Sequence, residues 1–439
     1  MTTAELTIPI DAQDDQPRLL EKLRDSSAVR ALTSVFDQAA VSATNFLTGV
    51  MIGRACSPDD LGIYALIMSV FQIAIGIQSE FVSTPYAVFC HKYTGDTYKR
   101  YAGQTLLFQG FILAIAACII AGLLGYFSMQ PNTARLQGIL LILLWAGPMI
   151  MTKEFLRQFS FARLELYRAV AIDLLICGIQ LAALAYLFFS GQLDLTRTLI
   201  VIAAAATTAM TVWLVLHRDM LTFDLTGYRD HLTENFSYSR WSVVTYLLGN
   251  TTPFLMPWVL VAYVSEHMIG IYSACSTLMG LSYMFVIGIA NMLKAKASHA
   301  FTHGGLPALL RVLMMTLGMY LAFLIPFCVV VFFYSDWLMR TVFGDEFAGY
   351  GQVSFIIALN VLISSVSIVV GNGLCAMRRP KANVPADIAT MLSTVAVSLA
   401  LIPSLGIVGA AYAYLAGTTS GVLLRTITAY RVYQREVAT

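Results

Sequence analysis

Apolar residues run along this chain in blocks of about twenty, almost free of charge, separated by short polar turns. Crossing about 30 Å of hydrocarbon takes roughly 20 mostly apolar residues in a helix, so each block is long enough to span a membrane. The pattern predicts twelve transmembrane helices, over 31–53, 61–84, 102–127, 136–156, 169–189, 198–217, 241–263, 268–293, 308–334, 352–376, 384–403 and 409–428. Strands of a β-barrel would alternate with period two over about ten residues, whereas these blocks are uniformly apolar. The expected class is an all-α integral membrane protein.

Mean hydropathy is +0.73, and only 12% of the residues are charged. Of the 27 lysines and arginines, 23 fall in segments that this topology puts on the side of the N-terminus, and four (Arg54, Arg135, Arg197 and Arg340) fall on the other. Cytoplasmic loops retain Lys and Arg, which predicts both termini in the cytoplasm of a multi-pass protein of the cell (inner) membrane. Positive charge is spread over every interior loop instead of gathered on one face, so a nucleic-acid partner is not expected. Residues 1–30 lack an apolar core and do not resemble a cleavable signal peptide; a short amphipathic helix is expected near Leu19 to Leu23. The seven cysteines are isolated and read as small apolar residues.

At an offset of 208 the chain repeats itself: Phe46, Leu47, Ser57, Gly62, Ile63 and Tyr64 match Phe254, Leu255, Ser265, Gly270, Ile271 and Tyr272. An even number of spans separates the copies, so both enter the membrane from the same side. Parallel repeats of this kind put a substrate path between two halves. The expected organisation is a tail over 1–30, an N-lobe over 31–217, a linker over 218–240, a C-lobe over 241–430 and a tail over 431–439.

Two stretches carry a resemblance. The first is FLTGVMIGRACSPDDLGIYAL, from Phe46 to Leu66; the second runs from FGDEF at Phe343, through GLCAMRRPK, to LIPSLGIVGAAYAYLAG, ending at Gly417. Both resemble the polysaccharide flippases of the multidrug/oligosaccharidyl-lipid/polysaccharide (MOP) exporter superfamily, in particular the Wzx-like O-antigen branch. The resemblance implies a MATE-like fold of two six-helix lobes. It also implies export, by alternating access, of an undecaprenyl-diphosphate-linked oligosaccharide: an O-antigen, capsule or exopolysaccharide repeat unit. The partners implied are that glycan lipid, the bilayer, and a polysaccharide polymerase or other pathway protein.

A diphosphate needs cations, and sugars need groups that both donate and accept. If the family arrangement holds, spans one, two, seven and eight line the cleft. The cations there are Arg54, Arg240, Lys294 and Lys296, and the amides are Asn45, Gln72, Gln78, Asn250 and Asn291. Each has a plainer reading: basic side chains snorkel to headgroups, and amides bridge helices for about 0.6 kcal/mol. Asn360 and Asn372 read as packing. Intramembrane carboxylates are candidates for ion coupling. Asp37, Glu80, Asp173 and Asp387 all lie nearer the cytoplasmic face than mid-depth. Coupling to an H+ or Na+ gradient through Asp37 or Glu80 stands beside structural pairing, of Asp37 with Arg30 or a loop and of Glu80 with Arg240 or Lys294. Pro253 and Pro257 in span seven predict a hinge or a static kink.

His299 and His303 have helical spacing but no carboxylate third ligand nearby, so no metal site or other cofactor is expected, and no nucleophile elbow suggests an enzyme. A multidrug or organic-cation antiporter of the same superfamily would use carboxylates at mid-depth, which are missing. A membrane polymerase or ligase would need a long exterior loop, and the longest predicted one covers only 335–351.

Overall fold

The computed structural model describes residues 27–131, 133–163, 165–249 and 252–438. Among them the regular structure is helical throughout: α1 Ser27–Ala55, α2 Pro58–Gln78, α3 Thr84–Phe89, α4 Gly95–Ser128, α5 Ala134–Ala162 and α6 Leu166–Phe189, followed by α7 Leu195–His217, α8 Tyr228–Gly249, α9 Thr252–Val261, α10 Glu266–Phe343, α11 Gly351–Ala376 and α12 Val384–Ala438. Nine helical segments among the described residues are long and apolar enough to cross a membrane. The predicted spans one and seven are not among these nine, and spans eleven and twelve fall in one continuous segment, Pro380–Gln434. The predicted amphipathic helix near Leu19 lies outside the described residues.

Local chemistry explains how the rods begin and bend. At the start of α2, Ser57 is the N-cap and Pro58 the first helical residue, while Asp60 closes a capping box by returning its carboxylate to the Ser57 backbone. Within α10, Gly305 takes φ +62°, and within α12 Gly406 takes φ +55°; both values favour a residue without a β-carbon. These glycines let consecutive spans join without a long loop.

Between α2 and α3 the helix widens into a π turn at Ser79–Ser83. Pro85 has no N–H to give the Phe81 carbonyl, and the Ser239 hydroxyl of α8 donates to that oxygen instead, at 3.4 Å.

The segment 218–240, expected to be a linker loop, is helical from Tyr228 onward and is strapped to the start of α4. Thr222 N donates to Lys99 O at 3.1 Å. Gln104 Nε2 donates to the carbonyls of Asp224 and Thr226 at 2.7 and 3.0 Å. Arg100 and Lys92 pair with Asp224 and Glu234 at 3.0 and 2.6 Å. Gly103 permits the approach, because a β-carbon there would collide with the Thr222 carbonyl. The polar character read as a solvated loop is used here to bind the segment to the first half of the chain. The predicted tail over 431–439 likewise continues α12 as far as Ala438.

One apolar cluster joins the two halves: Ile52 and Leu61 pack with Ile269, Tyr272, Phe343 and Phe347, all buried. Large side chains such as Phe111, Ile119, Phe189 and Phe333 stay exposed on the outside of the rods. That is the surface a hydrocarbon solvent would cover.

Candidate functional site: a sealed end and a polar cavity between the halves

The repeated tripeptides meet each other. A β-carbon on Gly62 would collide with the Glu266 carbonyl and sit 3.0 Å from Gly270 N. One on Gly270 would collide with the Pro58 carbonyl and sit 3.1 Å from Gly62 N. Pro58 and Glu266 are 208 positions apart, as are Gly62 and Gly270, so α2 and α10 cross backbone to backbone about a pseudo-twofold axis. Asp59 and His267 hold the same relation, and their side chains face each other at 3.5 Å. The two halves are thereby in backbone contact at the end expected outside.

Arg54 belongs to this contact. Its Nε donates to Val342 O at 2.7 Å and its Nη2 to Thr341 O, at the last turn of α10. A cation on terminal helix carbonyls satisfies orphan acceptors and complements the helix dipole. Arg54→Ala is expected to lower stability by about 1 kcal/mol, the low end for a charged hydrogen bond because the group is exposed. Thermal unfolding in detergent without any substrate checks this; an unchanged midpoint would return Arg54 to the set of substrate candidates.

Two cavities lie between the halves. The larger, about 850 Å³, takes Gln72, Ser79 and Glu80 from α2 and the turn after it, Gln158 from α5, and Tyr246 from α8. Its opposite wall comes from α9 to α12 and includes Tyr272, Tyr283, Asn360, Ser364, Ser367, Thr390, Tyr414, Thr418 and Arg425. The second, about 430 Å³, is lined by Ser42, Asn45, Tyr64, Gln72, Pro257 and Thr277 among others. Seven residues, Gln72, Pro253, Phe254, Tyr272, Ser276, Gly280 and Tyr283, line both. Volumes of this order suit small-molecule sites, about 300–1,000 Å³. Hydroxyls, amides and aromatic rings line the walls among aliphatic side chains, and among the described residues the charged side chains lining either cavity are Glu80 and Arg425.

The π turn aims the first-half wall: Ser79 donates to Gln158 Oε1 at 2.7 Å, and the Ser242 hydroxyl donates to Glu80 Oε2. Tyr246 donates to Gln72 O at 3.1 Å, packed so close that a β-carbon on Gly76 would strike its ring. Of the candidate residues singled out in the sequence, Asn45, Gln72, Glu80, Pro253 and Pro257 line a cavity, and so does Asn360, which the sequence read as packing. Gln78 does not: it is buried and donates to Met151 O at 3.0 Å. Arg240, Lys294 and Lys296 are exposed and line neither cavity. Asn250 and the side chain of Asn291 lie outside the described residues, and so does the link between α8 and α9 before Pro253.

For Asp37 the partner is a cation that the sequence placed in the loop after span four, the second of the two alternatives. Asp37, fully buried, takes Arg157 Nη2 at 3.0 Å, and Asp173 takes Arg157 Nε at 2.9 Å. Glu80 accepts from the Ser242 hydroxyl. Asp387 pairs with Arg425 of the last span. Sequence reasoning missed Arg425 and Arg157 because it counted both among interior-loop cations. The position of Arg425 inside the apolar run LLRTITAY was the available signal, whereas Arg157, between Glu154 and Gln158, carried none.

Helices long enough to traverse a bilayer, halves that meet about an axis and cavities between them define a multispan helical membrane protein. An inward-facing multidrug resistance MATE family transporter of the MOP superfamily shares this fold with TM-score 0.76 at 11% identity, over 92% of this chain and 99% of that one. The lipid II flippase MurJ, in an inward closed conformation, aligns with TM-score 0.68 at 14% identity, over 91% of this chain and 87% of that one. A family model described as "Polysaccharide biosynthesis protein" matches residues 51–352, and the chain belongs to that family. A curated protein of Haloferax volcanii, "Probable low-salt glycan biosynthesis flippase Agl15", is 24% identical over 178 residues. The match covers 40% of this chain and spans 38% of that protein's length.

Proposed function

We propose that the protein is a flippase that carries a polyprenyl-diphosphate-linked oligosaccharide across the cytoplasmic membrane by alternating access. The observation that carries this reading is the polar cavity between the two halves, which are in backbone contact at one end where Gly62 and Gly270 cross. Counting the rods broken at Gly305 and Gly406 as two crossings each, and α8 with α9 as one, gives twelve crossings in two six-helix lobes. Both termini then lie in the cytoplasm, and the cavity faces the inner leaflet where such a lipid is assembled. Sugar hydroxyls would meet Gln72, Gln158, Asn360 and the serines and threonines, while the tyrosines offer flat faces to the rings. The polyprenyl tail stays in the bilayer.

Coupling to H+ or Na+ is assigned here to Glu80, which lines the cavity, and not to Asp37, which is fully buried against Arg157 and lines neither cavity. Membership of a polysaccharide biosynthesis family and the likeness to a glycan flippase support the substrate class.

The test is reconstitution into vesicles loaded with a labelled polyprenyl-diphosphate oligosaccharide. Faster exposure of label at the opposite leaflet than in protein-free vesicles is expected. Gln72→Ala and Tyr246→Ala together should cut the rate about tenfold, as for loss of one or two good contacts. Equal rates with and without protein, alongside uptake of an organic cation, would replace this reading with a multidrug antiporter.

A further inference from the structure

We propose that Arg425, held by Ser367 and Asp387, is the seat of the substrate's diphosphate; the inference rests on the flippase reading above. Among the described residues Arg425 is the only lysine or arginine that lines either cavity. The cations expected to hold the phosphates lie elsewhere, Arg54 in the seal and Arg240, Lys294 and Lys296 on the exposed surface. A doubly charged anion entering the large cavity therefore meets one basic group.

That group is oriented but not saturated. A guanidinium carries five N–H donors. Nη1 donates to the Ser367 hydroxyl of α11 and Nη2 to the Asp387 carboxylate in the first turn of α12. The Nε is buried and has no hydrogen-bond partner. With Nε enclosed, the donors offered to a ligand are the second N–H groups of Nη1 and Nη2, and a fork of that kind fits phosphate oxygens bidentately. Asp387 fixes the plane of the fork and competes with an incoming anion, which keeps an empty cavity from holding a bare cation. The cluster sits at the end expected to face the cytoplasm, at the depth where headgroup phosphates of the inner leaflet arrive.

The competition gives a test with opposite signs. In purified full-length protein in nonionic detergent, binding of geranylgeranyl diphosphate, geranylgeraniol and inorganic pyrophosphate is followed by ligand-induced change in melting temperature and by calorimetry. The diphosphate lipid should bind, the alcohol should not, and pyrophosphate should bind more weakly than the lipid. Arg425→Gln should weaken the diphosphate lipid about ten- to a hundredfold, the value of a charge-assisted bond. Asp387→Asn should tighten it, because the internal competitor is gone; a purely structural ion pair predicts no gain.

Should Arg425→Gln fail to fold, Arg425→Lys, which keeps the charge but not the fork, and Asp387→Asn carry the test. Wild-type affinity in Arg425→Gln, no gain in Asp387→Asn, or equal binding of the alcohol would each overturn the seat. Pyrophosphate binding better than the lipid would overturn the lipid-linked source. Normal flipping by Arg425→Gln would reject the seat and leave the flippase; diphosphate binding that depends on Arg425, without flipping, would do the reverse.

Discussion

Replacing Arg157 by leucine is expected to destabilise the protein by about 3–5 kcal/mol, the cost of leaving buried charges uncompensated. Three carboxylates share this one guanidinium: Asp37 at 3.0 Å, Asp173 at 2.9 Å and Glu154 at 3.3 Å. Asp37 and Asp173 are 0% and 2% exposed, so water cannot stand in for the lost cation. Asp37 already has one oxygen, Oδ1, buried with no partner. The cluster ties α1, α5 and α6 together, and its loss should loosen the first half as a unit. Lysine should restore only part, since one ammonium cannot reproduce a fork between two carboxylates. Thermal unfolding of the detergent-solubilised variants reads the effect. Neutralising the partners, as Asp37→Asn with Asp173→Asn, should recover much of what Arg157→Leu loses. A midpoint within a degree of wild type for Arg157→Leu would contradict the pairing.

Valine in place of Gly270 is expected to part the sealed end. Its β-carbon would run into the Pro58 carbonyl oxygen, 2.7 Å from that carbonyl's carbon and 3.1 Å from Gly62 N. These are backbone atoms, which cannot rotate aside as a side-chain tip can. Overpacking a tight contact costs typically about 1–3 kcal/mol, and here α2 and α10 relieve it by separating. Spin labels at 129 and 346, both exposed near that end, should report a longer distance than in the wild-type background. Gly62→Val should act in the same direction, as the relation is reciprocal. Asp59→Ala should do less, because a half-exposed ion pair contributes at most about 1 kcal/mol. An unchanged distance in Gly270→Val would show that the crossing does not hold this end closed.

The elements of this fold are legible where a single helix decides the matter. Apolar blocks locate most of the rods, although α4 begins at Gly95 where 102 was expected and α8 at Tyr228 where 241 was, and the Gly-Ile-Tyr repeat marks the place where the halves touch. What hydropathy cannot supply is the rotational phase of each helix against its neighbours. Arg157 meets Asp37 from 120 positions away, and Arg425 meets Ser367 from 58 away. No local window carries such pairs, so both arginines looked like loop cations. For the same reason Gln72 and Glu80 could be anticipated on a lining helix, while Gln158, Ser367 and Tyr246 could not. The strap over 218–240 was hidden differently: its polar residues are those of a solvated loop, and only the folded α4 gives them partners. Pro85 was a readable sign of the π turn beside Glu80, since a proline inside a span leaves a carbonyl to be satisfied.

The pairing of Asp59 with His267 bears on how the two halves are linked. A half-length chain docked on a copy of itself would set identical side chains against each other at that spot, two acids or two imidazoles. Identical titrating groups across such an axis cannot form a pair of opposite fixed charges and attract only by sharing a proton. Covalent fusion frees the two positions to differ, so a complementary contact becomes available at the very centre of the symmetry, which a self-associating subunit could never have.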